Sequence, residues 1–149
     1  MTPPHNSASR RRPSVNISRR FVIPAGVEVF EIDGPFFFGA AETFRDTLAR
    51  ISGKPKVLIL RMRHVPSIDA TGIHTLTDVV RRSRKDGTLV LLSGVQPQPA
   101  AALRKSALFD EIGEEHLCAD FEVALARANE ELEVRRLLRR TGETPVARR

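Results

Sequence analysis

Val57-Leu58-Ile59-Leu60 opens a stretch, VLILRMRHVPSIDATG, that ends at Gly72 and decides how the chain folds. The first four residues are apolar and β-forming, a run of the length expected for a strand covered on both faces. Val65-Pro66-Ser67 makes a turn. Ile68-Asp69-Ala70-Thr71-Gly72 then leads into Ile73, Leu76, Val79 and Val80, which recur at helical spacing. A strand that passes through a loop into a helix aims the free amides of the helix N-terminus at the loop. Asp69 stands where an N-cap is needed. Thr71 places a hydroxyl in the first turn, where a phosphate would meet unpaired N–H groups. This corner reads as a surface for docking and switching, without the groups of a reaction centre.

Downstream, the helix that Asp69 starts should run to about Asp86, exposing Asp78, Arg81, Arg82, Arg84 and Lys85, and stop at Gly87. Thr88-Leu89-Val90-Leu91-Leu92-Ser93 is a second buried strand. Pro97 and Pro99 set up a helix from Ala100 to Ala107 that buries Leu103. Glu115 to Cys118 forms a short last strand. Asp120 caps a final helix with Phe121, Ala124, Leu125 and Ala128 on its inner stripe. Its extension from Leu132 to Arg140 is amphipathic and expected to fray.

Upstream, Phe21-Val22-Ile23 and Val27 to Ile32 read as two strands around Pro24-Ala25-Gly26. Gly34-Pro35 turns the chain into Phe36-Phe37-Phe38. Three adjacent phenylalanines cannot all point inward, so at least one should lie near the surface. A helix from Ala40 to Ser52 follows, with Phe44, Leu48 and Ile51 inside and Glu42, Arg45 and Asp46 outside. Gly53 ends it, and Lys54-Pro55 leads into the central strand.

Successive β-α-β units require parallel pairing with right-handed crossovers, and helices then cover the sheet. The expectation is an α/β fold: a central mixed, mostly parallel sheet with about four helices, its antiparallel edge supplied by the first two strands.

At 149 residues the chain fits one domain with tails. Residues 1–20 should be a disordered basic tail or linker, 21–133 the folded domain and 134–149 a basic extension. The net charge of +6 divides accordingly. Residues 1–20 and 134–149 carry +5 each, which leaves −4 for residues 21–133. A nucleic-acid-binding fold would show its basic face on the domain itself, so no specific nucleic-acid partner is expected. The tails are suited to touching anionic membrane without specificity. No apolar run approaches the ~18–20 residues of a membrane-spanning helix, so a soluble polypeptide is expected. Ser18-Arg19-Arg20-Phe21-Val22 is similar to a twin-arginine export signal, but Glu28, Glu31 and Asp33 interrupt the apolar region that should follow. A lone cysteine, Cys118, forms no internal disulfide; with export rejected, the expected compartment is cytoplasmic, reaching the inner face of the membrane.

Motifs for chemistry fail one after another. There is no Gly-rich phosphate loop and no dinucleotide fingerprint. Asp69-Ala70-Thr71-Gly72 carries one residue too many for the Asp-Thr-Gly of aspartic proteases and has no second copy. His5, His64, His74 and His116 have no carboxylate or thiol at ligand spacing. No nucleophile stands beside a base. The chain is therefore expected to be no enzyme, with no metal and no cofactor.

The Val57–Leu60 strand, its loop and Ile68-Asp69-Ala70-Thr71-Gly72 resemble the motif of STAS domains, shared by sulfate transporters and anti-sigma-factor antagonists. Gly34-Pro35-Phe36-Phe37-Phe38-Gly39-Ala40-Ala41 is more particularly similar to the cytoplasmic STAS domain of SulP-type anion transporters. The resemblance covers about Val27 to Glu131. It implies the STAS-type fold and a regulatory domain that binds partners at the Asp69–Gly72 corner through Ser67, Ile68, Asp69, Ala70, Thr71, Gly72 and His74. The implied partner is a transporter membrane domain or, in the antagonist branch, an anti-sigma factor with kinase activity. In that branch the residue before the motif glycine is the phospho-acceptor, which corresponds to Thr71; Ala70, often serine there, cannot be modified. Some STAS domains are thought to bind GTP or ATP, but no phosphate-cradling sequence supports nucleotide binding here. Helix amides at Gly72 and beyond are expected to receive the phosphate, while the nearby Asp69, and any partner carboxylate docked there, would be repelled by it, so that modification would change binding more than stability.

Overall fold

The structure is a computed structural model that describes residues 21–50 and 53–142. The expected basic tail over residues 1–20, the end of the C-terminal extension from residue 143, and Ile51 with Ser52 lie outside the described residues. Among the described residues four strands, β1 (Val27–Asp33), β2 (Val57–His64), β3 (Leu89–Ser93) and β4 (Leu117–Cys118), form one sheet in the order β1-β2-β3-β4. Five helices accompany them: α1 (Phe38–Ala49), α2 (Ala70–Lys85), α3 (Pro97–Arg104), α4 (Ala107–Ile112) and α5 (Phe121–Thr141).

Alternation along β2 explains why its sequence is apolar at nearly every position. Leu58, Leu60 and Met62 enter a core with Phe36 and Phe44 near α1, Leu76, Val79 and Val80 of α2, Leu103 of α3, and Leu108 and Ile112 of α4. Val57 and Ile59 point the other way, into a core with Phe121, Ala124, Leu125 and Ala128 of α5. Helices α1 to α4 thus cover one face and α5 returns over the other. A sequentially ordered parallel sheet whose crossovers share one hand produces this arrangement.

All three strand pairings are parallel. The antiparallel edge expected from Phe21-Val22-Ile23 does not form among the described residues. The Val27 amide donates to the Pro24 carbonyl at 3.2 Å, closing a turn in which Gly26 takes φ of 95°. Phe21 and Ile23 instead pack into the α5 core, the Phe21 ring meeting Phe121 edge-on at 5.0 Å. Burial of two apolar side chains under the helix replaces a ladder.

Other boundaries shift for local reasons. Helix α1 begins at Phe38, before the expected Ala40. The single helix expected over Ala100–Ala107 is two, because the Ser106 hydroxyl donates to the Leu103 carbonyl and accepts from the Leu108 amide, ending one helix and capping the next. Glu114–His116 is a 3-10 turn, so only Leu117–Cys118 of the last expected strand pairs. Helix α5 does not stop near Leu132. Ion pairs Glu131–Arg135 at 2.8 Å and Glu133–Arg136 at 2.9 Å line its extension, and Arg135 reaches the Gly87 carbonyl at 2.7 Å. It ends at Thr141 with Gly142 in the left-handed conformation.

Candidate docking corner

The corner forms where β2 runs out and α2 begins, at the carboxyl end of the parallel sheet, where open α/β sheets place ligands and partners. Asp69 caps α2 as its position demands: Oδ1 accepts from the Gly72 amide at 2.8 Å, and the Asp69 carbonyl accepts from the Ile73 amide at 3.0 Å. Asp69, Ala70 and His74 are exposed, Ser67 and Thr71 are half-buried, and Ile68 and Gly72 are buried. The seven expected residues therefore divide into a displayed set and a supporting pair.

The support comes from two segments distant in sequence. Phe36 forms a parallel bridge with Ile68, and its amide donates to the Ser67 carbonyl at 3.0 Å. From the other side Gln98 brackets the Ile68 backbone: Oε1 accepts from the Ile68 amide at 2.8 Å, while Nε2 approaches the Ile68 carbonyl at 3.4 Å. Gln96 holds the Arg63 carbonyl at 2.7 Å. The loop between β2 and α2 is thereby fixed by side chains of the α3 segment, which reading along the chain did not find. Two glutamines flanking Pro97 were the available signal, and nothing local ties them to Ile68.

Of the three phenylalanines, Phe36 is fully buried, whereas Phe37 and Phe38 are 44% and 62% exposed. The Phe36–Ile68 bridge places this apolar pair beside the corner, adding contact surface to its polar display. His74 lies 3.7 Å from Asp78, which Arg45 of α1 also approaches at 3.7 Å. Arg45 further donates to the Thr75 hydroxyl at 3.1 Å, one turn beyond Thr71. His64, by contrast, contributes its carbonyl to Gly34 at 2.9 Å and is otherwise exposed at the strand end.

One detail of the phosphate expectation is corrected. The Gly72 amide is already engaged by the Asp69 carboxylate and the Ile73 amide by the Asp69 carbonyl, so a phosphate on Thr71 would have to compete with the carboxylate for the first and with the helix's own backbone bond for the second. Of the two expected effects, the repulsion by Asp69 is the one this geometry favours, and free acceptance by the Gly72 amide is the one it removes.

On the α5 face of the same sheet end, Glu31, Arg61, Ser93 and Cys118 follow one another in register across all four strands. The Arg61 guanidinium lies 4.3 Å over the Phe121 ring, and burial pulls its pKa down. Its Nε is buried without a hydrogen-bond partner among the described residues. Burial likewise pushes the Cys118 thiol up, which keeps it protonated and unreactive. Cavities of about 310 Å³ and about 510 Å³ lie elsewhere, the first between α1 and α2 near Lys54 and Asp86, the second alongside α5. Among the described residues no group of three His, Cys, Asp or Glu is placed to hold a metal ion. No described helix is long and apolar enough to cross a membrane.

The fold is that of an α/β domain with a parallel sheet, and comparison with known proteins places it. The STAS domain family model matches residues 19–124, and the chain belongs to that family. It is 33% identical over 91 residues to the putative sulfate transporter YvdB of Bacillus subtilis, a match that covers 60% of this chain and 17% of that protein. Among solved structures it resembles a sulfate transporter family protein from Wolinella succinogenes at 46% identity and a TM-score of 0.71, covering 75% of this chain and 92% of the other. It also resembles the STAS domain of a SulP transporter from Vibrio cholerae at 37% identity and a TM-score of 0.67, covering 79% and 92%.

Proposed function

We propose that this chain is a non-enzymatic regulatory domain of the sulfate (anion) transporter type, which binds a protein partner at the Asp69–Gly72 corner. The observation that supports it is the construction of the corner. Asp69, Ala70 and His74 are displayed at the start of α2, directly after a loop pinned from both flanks, by Phe36 and by Gln98, with Phe37 and Phe38 exposed alongside. A rigid, partly apolar surface without a nucleophile–base pair is suited to recognition and not to turnover. The partner that fits this reading is the membrane domain of an anion transporter, met at the cytoplasmic face of the membrane.

A second reading has its own observation. Thr71 is half-exposed in the first turn of α2, where a phosphate would face the Asp69 carboxylate already seated on the Gly72 amide. In that reading the domain is an anti-sigma-factor antagonist, and phosphorylation by a partner kinase releases the complex.

One experiment separates them. A photo-crosslinking residue at Ala70 is compared with one at Asn129, in wild type and in Thr71→Glu, in native cells with the membrane fraction solubilised. A polytopic transporter captured at Ala70 alone, and equally by both forms, supports the transporter-type domain. Capture of a small ATP-binding kinase by wild type only supports the antagonist. Equal capture at both positions removes the corner as the docking surface.

A further inference from the structure

The cavity of about 310 Å³ between α1 and α2 lies at the amino end of the sheet, where Pro55 leads into β2 and Thr88 into β3. The docking corner is at the opposite end. Leu48 of α1, Leu58 of β2 and Val79 of α2 line the cavity. Leu58 and Val79 belong to the core and Leu48 packs against it, so an occupant would rest on apolar side chains that the fold already holds in place. The Thr88 hydroxyl beside them is satisfied, since it donates to the Pro55 carbonyl at 2.6 Å. Small-molecule sites measure ~300–1,000 Å³, so this volume suits a compact organic ligand and exceeds what an inorganic ion fills.

The charges around the cavity select the head group. Arg45 donates to the Thr75 hydroxyl at 3.1 Å and lies 3.7 Å from Asp78. Lys54 lies 3.6 Å from Asp86. Both lining acids therefore have a basic partner. Arg82 also lines the cavity and has no ion pair or hydrogen bond among the described residues, which leaves one positive charge uncommitted. Helices α1 and α2 both end beside this cavity, so they turn the negative pole of the helix dipole toward it and offer no free amides. A phosphate or other polyanion gains little there, whereas a single carboxylate needs only Arg82.

We propose that this cavity binds a small organic monocarboxylate, its apolar body on Leu48, Leu58 and Val79 and its carboxylate paired with Arg82. The site shares no residue with the docking corner and is independent of the partner that the corner takes. Arg82 is exposed, so the ion pair adds selectivity more than affinity. Binding is therefore weak, in the millimolar range for a ligand of this size.

Hexanoate titrated to about 20 mM into the isotope-labelled 149-residue chain, followed by amide NMR shifts, tests this. The Leu48, Leu58, Val79 and Arg82 amides are expected to shift together and to saturate. Hexanol keeps the apolar body without the charge and should bind at least about threefold more weakly. Acetate and inorganic phosphate, which lack the apolar body, should leave these amides unmoved. Arg82→Gln should remove the preference for hexanoate while binding hexanol as wild type does. Ser83 lines the cavity and its hydroxyl makes no hydrogen bond among the described residues. Ser83→Leu fills the space and should abolish binding of both ligands, with the urea midpoint as the check on folding. Absence of saturable shifts with hexanoate, equal binding of hexanol by wild type, or a preference that survives Arg82→Gln would each overturn the proposal. So would the same shifts with acetate or phosphate, or shifts confined to Leu89 and Val134 at the α5 cavity.

Discussion

Gly72 lies directly against Phe36. A Cβ built at Gly72 would overlap the Phe36 carbonyl oxygen and come within 2.6 Å of Ile68 Cγ1 and 2.9 Å of Phe36 Cδ2. The glycine of the corner motif is thus required by close approach, since its φ is not in the left-handed region. The first turn of α2 can sit under the Phe36–Ile68 bridge only if no side chain intervenes.

Gly72→Ala should therefore cost about 1–3 kcal/mol or more, because backbone, not a flexible side-chain tip, must move. Gly39→Ala is the control. It lies within α1 with nothing inside 4 Å of its Cβ position, and helix propensity should make it neutral or stabilising by about 0.5–1 kcal/mol. Urea unfolding of the two variants checks both signs. Equal midpoints would contradict the packing argument.

Removing the cap at Asp69 isolates another contribution. Asp69→Ala leaves the Gly72 amide without its acceptor and should lower stability by about 0.5–2 kcal/mol. Asp69→Asn, which keeps a side-chain oxygen, should retain most of it. Thermal melts at one pH distinguish the pair.

Gln98 should matter more than an exposed glutamine ordinarily does. Gln98→Ala strands the Ile68 amide in a residue that is 4% exposed, at a cost of about 1–3 kcal/mol. Gln98→Glu keeps the acceptor but turns a second oxygen toward the Ile68 carbonyl, so it should fall between wild type and Ala. Hydrogen exchange at Ile68 reports the effect locally. Unchanged protection in Gln98→Ala would show that the bracket is dispensable.

Arg81 of α2 and Glu111 of α4 are joined by paired hydrogen bonds of 2.7–3.0 Å. Hydrogen bonding from Arg81 holds the Glu111 carboxyl below its ordinary range. The folded value is lower than the unfolded value of about 4.3, so the stabilisation is present above that pH. It disappears as pH falls through the folded value. Glu111→Gln should lose less stability than wild type between neutral pH and strong acid. Because the pair is exposed, added salt should shrink the difference.

The buried Cys118 thiol, with its pKa pushed up by burial, should alkylate at least about tenfold more slowly in the native chain than in urea at mildly alkaline pH. Rates with iodoacetamide in the two states decide it. Rapid native labelling would mean that β4 opens readily.

The corner was legible in the sequence because its signals are local. Val57–Leu60 declare a strand by composition, Ile73, Leu76, Val79 and Val80 declare a helix by spacing, and Asp69 can cap only the helix that follows it. The same reasoning placed β3 and the start of α5, and required at least one of Phe36, Phe37 and Phe38 to lie near the surface. Phe21-Val22-Ile23 misled because an apolar run shows only that it will be buried, not whether a ladder or a helix will bury it. The fraying expected beyond Leu132 failed for a similar reason, as Arg135 bonds to Gly87, 48 residues away.

The sequence alone determined β1 to β3, helices α1, α2 and α5, and the Asp69 cap at the corner, since each depends on residues a few positions apart. Only the tertiary structure decided that Gln98 holds Ile68 from 30 residues away, that Gly72 is closed by the Phe36 backbone, and that Glu31, Arg61, Ser93 and Cys118 form one row. Periodicity tells a residue which way to face. What it will meet there depends on strand register and crossover geometry, which no short stretch of chain contains.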